Sequence, residues 1–193
     1  MVPQPSTTLV SALWPESRGH ILRQSMLVMI GTLLLTASAK IQVPFWPVPM
    51  TMQTFVVLFL GAALGARLGA LTVLLYLFEG ALGLPVFAGT PEKGLGLAYM
   101  AGPTGGYLIG FAVGAYVVGW LAERGWDRSV PRLFAAMMLG HAVILGFGLA
   151  WLTQLIGFEK AWLLGITPFY AATLFKTALG ACVVPALWQL AKR

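Results

Sequence analysis

The sequence predicts an all-α integral membrane protein of six transmembrane helices with both termini cytoplasmic. Three observations carry that prediction. Of 193 residues, 59% are hydrophobic and only 9% charged, whereas a soluble domain is roughly 25% charged. Apolar runs of nearly spanning length recur from end to end. The basic residues between those runs divide unequally between two sides.

A membrane-spanning helix needs roughly 17–25 mostly apolar residues. Six runs meet or approach that length: 21–39, 51–66, 68–84, 105–122, 133–156 and 164–190. The first begins near Ile21 and is nearly long enough to span, so it reads as a span rather than a removed signal. Residues 1–20 form an N-terminal cytoplasmic segment, and 21–193 form one substrate-binding membrane domain. Residues 1–17 are polar and proline-bearing, which predicts a disordered or peripheral stretch. The second and third runs nearly touch at Arg67. They read as two spans joined by a very tight turn, or as one span plus a broken helix. The sixth contains Pro168 near its start, so its helix is expected to begin near Thr167.

Charge sets the orientation. With the N-terminus inside, the inner segments hold Arg18, Arg23, Arg67, Arg124, Arg128, Arg132, Lys192 and Arg193, and the outer segments hold Lys40, Lys93 and Lys160. Eight against three is the bias of the positive-inside rule, and the reverse orientation violates it. This placement accounts for the +6 net charge without nucleic acid, since the basic residues are scattered and make no patch.

Two outer connectors are unusual. Residues 40–50 read KIQVPFWPVPM and residues 85–104 read PVFAGTPEKGLGLAYMAGPT. Both are apolar and rich in Gly or Pro, where a solvated loop is more polar. They read as backbone folded into the mouth of the bundle, or else as loops lying on the outer membrane surface.

Lys176, in LFKTALG, is the most informative side chain. It lies roughly halfway along the last run, where a lysine costs about 2.5–3.5 kcal/mol on insertion scales. Such a lysine faces an anionic substrate, pairs with another helix, or snorkels to an interface. Glu79 is the single carboxylate inside a run. It is a resting partner for Lys176, an acceptor for a substrate N–H, or a group reaching outer water.

Thr51 and Gln53 open the second run after Pro47 and Pro49, with Thr51 a candidate N-cap. Gln53 offers both donor and acceptor. Gly102 and Thr104 lie in GPTGG at the start of the fourth run, where free N–H groups face a substrate or are capped by Thr104. Trp46, Phe87 and Tyr99 sit at the outer mouth, as interfacial aromatics or as cover for an apolar ligand. Gly61, Gly65, Gly69 and Gly106, Gly110, Gly114 form two ladders of spacing four, each expected on one helix face for close packing in the bundle or against a membrane partner. The lone Cys182 reads as a packed thiol. His20 and His141 have no ligand-spaced neighbours, and no nucleophile–base or metal pattern is present, so an enzyme is not expected.

The stretches VPFWPVPMTMQTFVVLFLGAALGARLGA, YLFEGALGLPVFAG and GPTGGYLIGF resemble, in order and spacing, the BioY family. These are the biotin-specific S components of energy-coupling factor (ECF) transporters. The resemblance runs from about residue 38 to 115, and the six-span layout and the lysine in the last run extend it. It implies an S-component bundle in the inner (plasma) membrane, with a biotin pocket near the outer face under two loops. It implies partners: a transmembrane T subunit and two ATPase subunits, through which alone ATP enters, since this chain carries no cofactor. A solitary biotin carrier without ATPases is the alternative. The resemblance assigns biotin contacts to Lys176 and Lys93, and puts Thr173 where the family often has an aspartate, so that Glu79 becomes a candidate neutralising partner. The first run shows no clean A-x-x-x-A pattern for docking the T subunit. With Tyr76 added, the candidate substrate-binding set is Lys176, Lys93, Glu79, Gln53, Tyr76, Trp46, Phe87, Tyr99, Gly102, Thr104 and Thr173.

Overall fold

An apolar chain satisfies its backbone polar groups by forming helix, which pairs each N–H and C=O within the segment. The computed structural model is accordingly helical almost throughout. It describes residues 8–14, 20–43 and 46–191. Arg18, Lys192 and Arg193, three of the orienting charges, lie outside the described residues, as do Pro44 and Phe45 of the first outer connector.

A short helix α1 (Leu9–Leu13) precedes α2 (Ile21–Lys40). A two-residue ribbon, β1 (Gln42–Val43) against β2 (Met50–Thr51), leads into α3 (Gln53–Leu64) and α4 (Ala66–Ala81). The second outer connector carries α5 (Gly96–Met100). Then come α6 (Gly105–Ala122), α7 (Val130–Ile156), α8 (Phe158–Gly165) and α9 (Tyr170–Ala191). Single 3-10 turns, Trp126–Arg128 and Thr167–Phe169, enter α7 and α9. Among the described residues, four stretches are long and apolar enough to cross a membrane: Ile21–Lys40, Gly105–Ala122, Val130–Ile156 and Phe158–Ala191. With 12 and 16 residues, α3 and α4 are shorter.

The most central of these is α6, with 67% of its span window buried against 28% for α2, which lies at the edge. Glycine explains the centrality. A Cβ on Gly106 would collide with Phe147 and Trp151 of α7, and one on Gly110 would meet the Ile144 backbone at 2.8 Å. The second ladder therefore packs inside the bundle.

The first ladder differs from its expectation. Gly65, at φ +87°, lies between two helices rather than within one. The chain folds back there, so that a Cβ on Gly69 would stand 2.9 Å from Gly61 Cα, and one on Gly61 would strike the Ala115 carbonyl of α6. Spacing alone does not reveal this, because a reversal at the middle glycine leaves the pattern unchanged. Glu123 caps the reversal, its Oε1 accepting from Ala66 N at 2.9 Å.

Other expectations are also corrected. Leu9 of α1 is 1% exposed and joins the core, while the Thr8 hydroxyl accepts from Ser11 N. That part of the N-terminal segment is therefore packed, not peripheral. Cys182 is exposed, because it falls on the outward face of α9 and not toward its neighbours. The segment between the fifth and sixth runs, which carries Lys160, is itself the helix α8 and not an irregular loop. Lys176 is the seventh of the 22 residues of α9, short of its midpoint, because α9 begins only after α8 and a 3-10 turn.

Candidate functional site

The described parts of the two apolar connectors, 40–50 and 85–104, fold into one end of the bundle. Pro47, Val48 and Pro49 of the first are buried, and so are Val86, Phe87, Ala88, Thr90 and Tyr99 of the second. Polar side chains hold the second connector down through its carbonyls. Tyr76 OH donates to Val86 O at 2.9 Å and Tyr99 OH to Ala88 O at 2.8 Å. Lys40 Nζ donates to the carbonyls of Phe87 and Thr90 and to Thr90 Oγ1, each at 3.1 Å. Phe87 stacks on Tyr99 at 4.9 Å and meets the Tyr76 ring edge-on at 5.4 Å. Its ring fills the space that a Cβ on Gly80 would occupy. Burial pushes the Tyr99 phenol's pKa up, against the pull of the Thr104 hydroxyl, so it remains a donor.

Beneath the connectors lies a cavity with mostly apolar walls. Phe111, Leu108 and Tyr107 of α6, Ile144 and Leu145 of α7, and Phe169 form much of it. Its polar groups are Thr51, Gln53, Thr54, Tyr99, Thr104, His141, Thr173 and Lys176. Small-molecule sites commonly combine apolar walls with a few polar groups that fix orientation.

Lys176 is 5% exposed. Its Nζ donates to Thr51 O at 2.6 Å and to Thr54 Oγ1 at 3.3 Å. Both acceptors are neutral, and no carboxylate bonds Lys176 among the described residues. An ammonium has three hydrogens, so one remains for a third partner.

The structure thus gathers five members of the sequence-predicted set at one cavity: Lys176, Gln53, Tyr99, Thr104 and Thr173. Tyr76 and Phe87 stand one layer behind, Tyr76 OH accepting from Gln53 Nε2 at 2.6 Å. The remaining four do not line it. Trp46 is 75% exposed, and Lys93 is exposed with its stem over Gly89. Glu79, half-buried on α4, is not brought to Lys176; Thr51 and Thr54 take the place foreseen for it. Gly102 accepts from Trp151 Nε1 at 3.0 Å through its carbonyl. Thr104 sits at the N-cap of α6 without a side-chain capping bond, and Met52, not Thr51, occupies the N-cap of α3, while the Thr51 hydroxyl accepts from Gln53 N at 3.2 Å.

Sequence reasoning missed Thr54, Lys40, His141 and Thr177. Lys40 read as one more outer charge, though its place at the end of an apolar run before a buried connector was a usable signal. His141 bonds Thr177, 36 residues away, and no local spacing announces that pair.

A family model described as "BioY family" matches residues 7–193. The "Probable biotin transporter BioY" of Pyrococcus horikoshii is 38% identical over 165 residues, covering 86% of this chain and 96% of that protein. The "Biotin transporter BioY" of Thermotoga maritima is 38% identical over 170 residues, covering 88% and 98%. The solved structure of an S-component for biotin from an ECF-type ABC transporter superposes with a TM-score of 0.75 at 22% identity, covering 87% of this chain and 92% of that one. That likeness is one of fold. The relatives are named as transporters, not enzymes.

Proposed function

The chain belongs to the BioY family, and on that premise we propose that it takes up biotin, binding the vitamin beneath the outer connectors and carrying it across the plasma membrane. In this reading it is the S component of an ECF transporter, served by a transmembrane T subunit and two ATPase subunits that hydrolyse the ATP. All six apolar helices cross the bilayer, α3 and α4 as short spans, and both termini are cytoplasmic.

The observation that carries the reading is Lys176. It is a buried cation at an apolar cavity, bonded only to neutral oxygens among the described residues. Biotin is complementary: an apolar chain and ring system ending in one carboxylate, ionised at neutral pH. A shielded anion needs a partner or it forfeits affinity to desolvation, and Lys176 supplies it. Thr173, Gln53, Thr104 and Tyr99 complete the polar surface, while Tyr76 and Phe87 hold the second connector closed.

Equilibrium binding to the detergent-purified protein tests the reading. Biotin is expected to bind, and riboflavin, thiamine and pantothenate to bind far more weakly. Absence of biotin binding, or equal binding of the panel, overturns it. Uptake into cells with and without the partner ATPases then separates an S component from a solitary carrier.

A further inference from the structure

The cavity has a second polar group whose chemistry is opposite to that of Lys176. His141, on α7, is 2% exposed and lines the cavity. Its Nδ1 lies 3.0 Å from Met137 O and 3.1 Å from Thr177 Oγ1. A carbonyl has no hydrogen to give, so Nδ1 carries the proton. In the neutral ring Nε2 then holds only a lone pair. That Nε2 is buried and has no hydrogen-bond partner.

Buried polar atoms without partners are rare and costly. The ring is locked by the bonds at Nδ1, so it cannot turn Nε2 elsewhere without breaking them. What Nε2 lacks is a donor, and the ring that carries it is part of the cavity lining.

We propose that His141 Nε2 accepts a hydrogen bond from a ureido N–H of biotin. The inference rests on the biotin reading above and adds a specificity residue to it. Elimination identifies the group: ionised biotin carries N–H or O–H donors only on its two ureido nitrogens. Its carboxylate, ureido oxygen and thioether all accept. Lys176 offers donors only and His141 Nε2 an acceptor only, so the two sort the ligand's ends. A carboxylate oxygen goes to the first and a ring N–H to the second. A fatty acid of similar length satisfies Lys176 but leaves Nε2 unpaired, which gives the site discrimination between biotin and a plain carboxylic acid.

The test measures binding of biotin, of two biotins methylated on one or the other ureido nitrogen, and of octanoate to the purified protein. Wild type is compared with His141→Phe and His141→Gln. His141→Phe is expected to weaken biotin about tenfold or more, the effect of removing one partner of a buried hydrogen bond. His141→Gln, whose amide oxygen reaches a similar position, is expected to recover part of that. One of the methylated biotins should bind wild type poorly and lose nothing further in His141→Phe, and octanoate should be unaffected. Equal losses for all the ligands, or biotin binding in His141→Phe within threefold of wild type, overturn the inference while leaving the biotin reading intact. Failure of wild type to bind biotin overturns both. If His141→Phe does not fold, nitrogen-15 NMR of wild-type histidine decides: the His141 Nε2 resonance should shift with biotin, and an unmoved resonance at saturation refutes the bond.

Discussion

Replacing Lys176 with methionine keeps the length of the side chain and removes its charge. In the unliganded protein this deletes two hydrogen bonds to neutral oxygens, at 2.6 and 3.3 Å, and relieves the burial of an ammonium that is 5% exposed. These effects oppose each other, so the fold should survive. In the complex the loss is one-sided: a shielded carboxylate is left without its cation. Truncating one member of a buried charged pair costs about 2–5 kcal/mol, which at about 1.4 kcal/mol per decade is roughly 30- to 4,000-fold in Kd. Titration calorimetry on the purified protein measures it, with biotin amide as the control. The amide lacks the anion, so it should bind wild type more weakly and lose less from the substitution. If Lys176→Met lowers affinity for biotin and its amide by the same factor, Lys176 is not the carboxylate's partner, and Lys93 becomes the better candidate.

Further perturbations probe other parts of the argument. Lys40→Met removes three hydrogen bonds that hold the second connector; proteolysis within residues 85–104 should quicken in this variant, and saturating biotin should slow it in wild type. A Gly61→Leu chain should express poorly or melt well below wild type, because its side chain would strike the Ala115 carbonyl; an unchanged melting temperature contradicts the packing described. Asp127, 1% exposed in the turn before α7, has its carboxyl pKa pushed up by burial, against the Trp188 hydrogen bond and the Arg128 charge. A raised carboxyl binds more protons folded than unfolded, so its contribution to stability falls as pH rises from the ordinary value of about 3.9 through the raised one, and is constant above. Asp127→Asn, which keeps an acceptor for Trp188, should therefore melt above wild type at pH 7, with the gap closing toward pH 4; a gap that widens on acidification refutes this. Cysteines at positions 18 and 160, in a Cys182→Ala background, should be protected from and labelled by an impermeant thiol reagent on intact cells, respectively; the reverse pattern refutes the orientation.

Much of this was legible in the sequence because the bilayer imposes one strong rule on composition. The fourth run was expected at 105–122 and α6 is Gly105–Ala122; the first was expected at 21–39 and α2 is Ile21–Lys40. Lys176 stood out because an ammonium in an apolar run demands a reason. What resisted reading was whatever depends on the chain meeting itself. Gly61 and Gly69 face each other only because Gly65 reverses the path. Glu79 was matched to Lys176 as the lone carboxylate inside a run, yet Thr51 and Thr54 sit at the ammonium because the start of α3 comes against α9. His141 looked idle without Thr177, which lies a helix away. Spacing within one helix predicts a shared face, but it says nothing about which face of another helix arrives opposite.

The short helices beside the reversal at Gly65 bear on the surrounding lipid. Rising about 1.5 Å per residue, α3 is about 18 Å long and α4 about 24 Å, against a hydrocarbon layer of about 30 Å. Packed against α3 through Gly140 and Leu58, α7 has 27 residues and extends about 40 Å. The bundle thus combines helices of very unequal length. In the six-span reading proposed above, acyl chains must compress beside α3 and α4 while α7 tilts to keep its ends wet, and each ångström of mismatch carries a modest elastic cost. On that reading the protein has a preferred bilayer thickness, which traces back to the reversal at Gly65 that cuts α3 and α4 short.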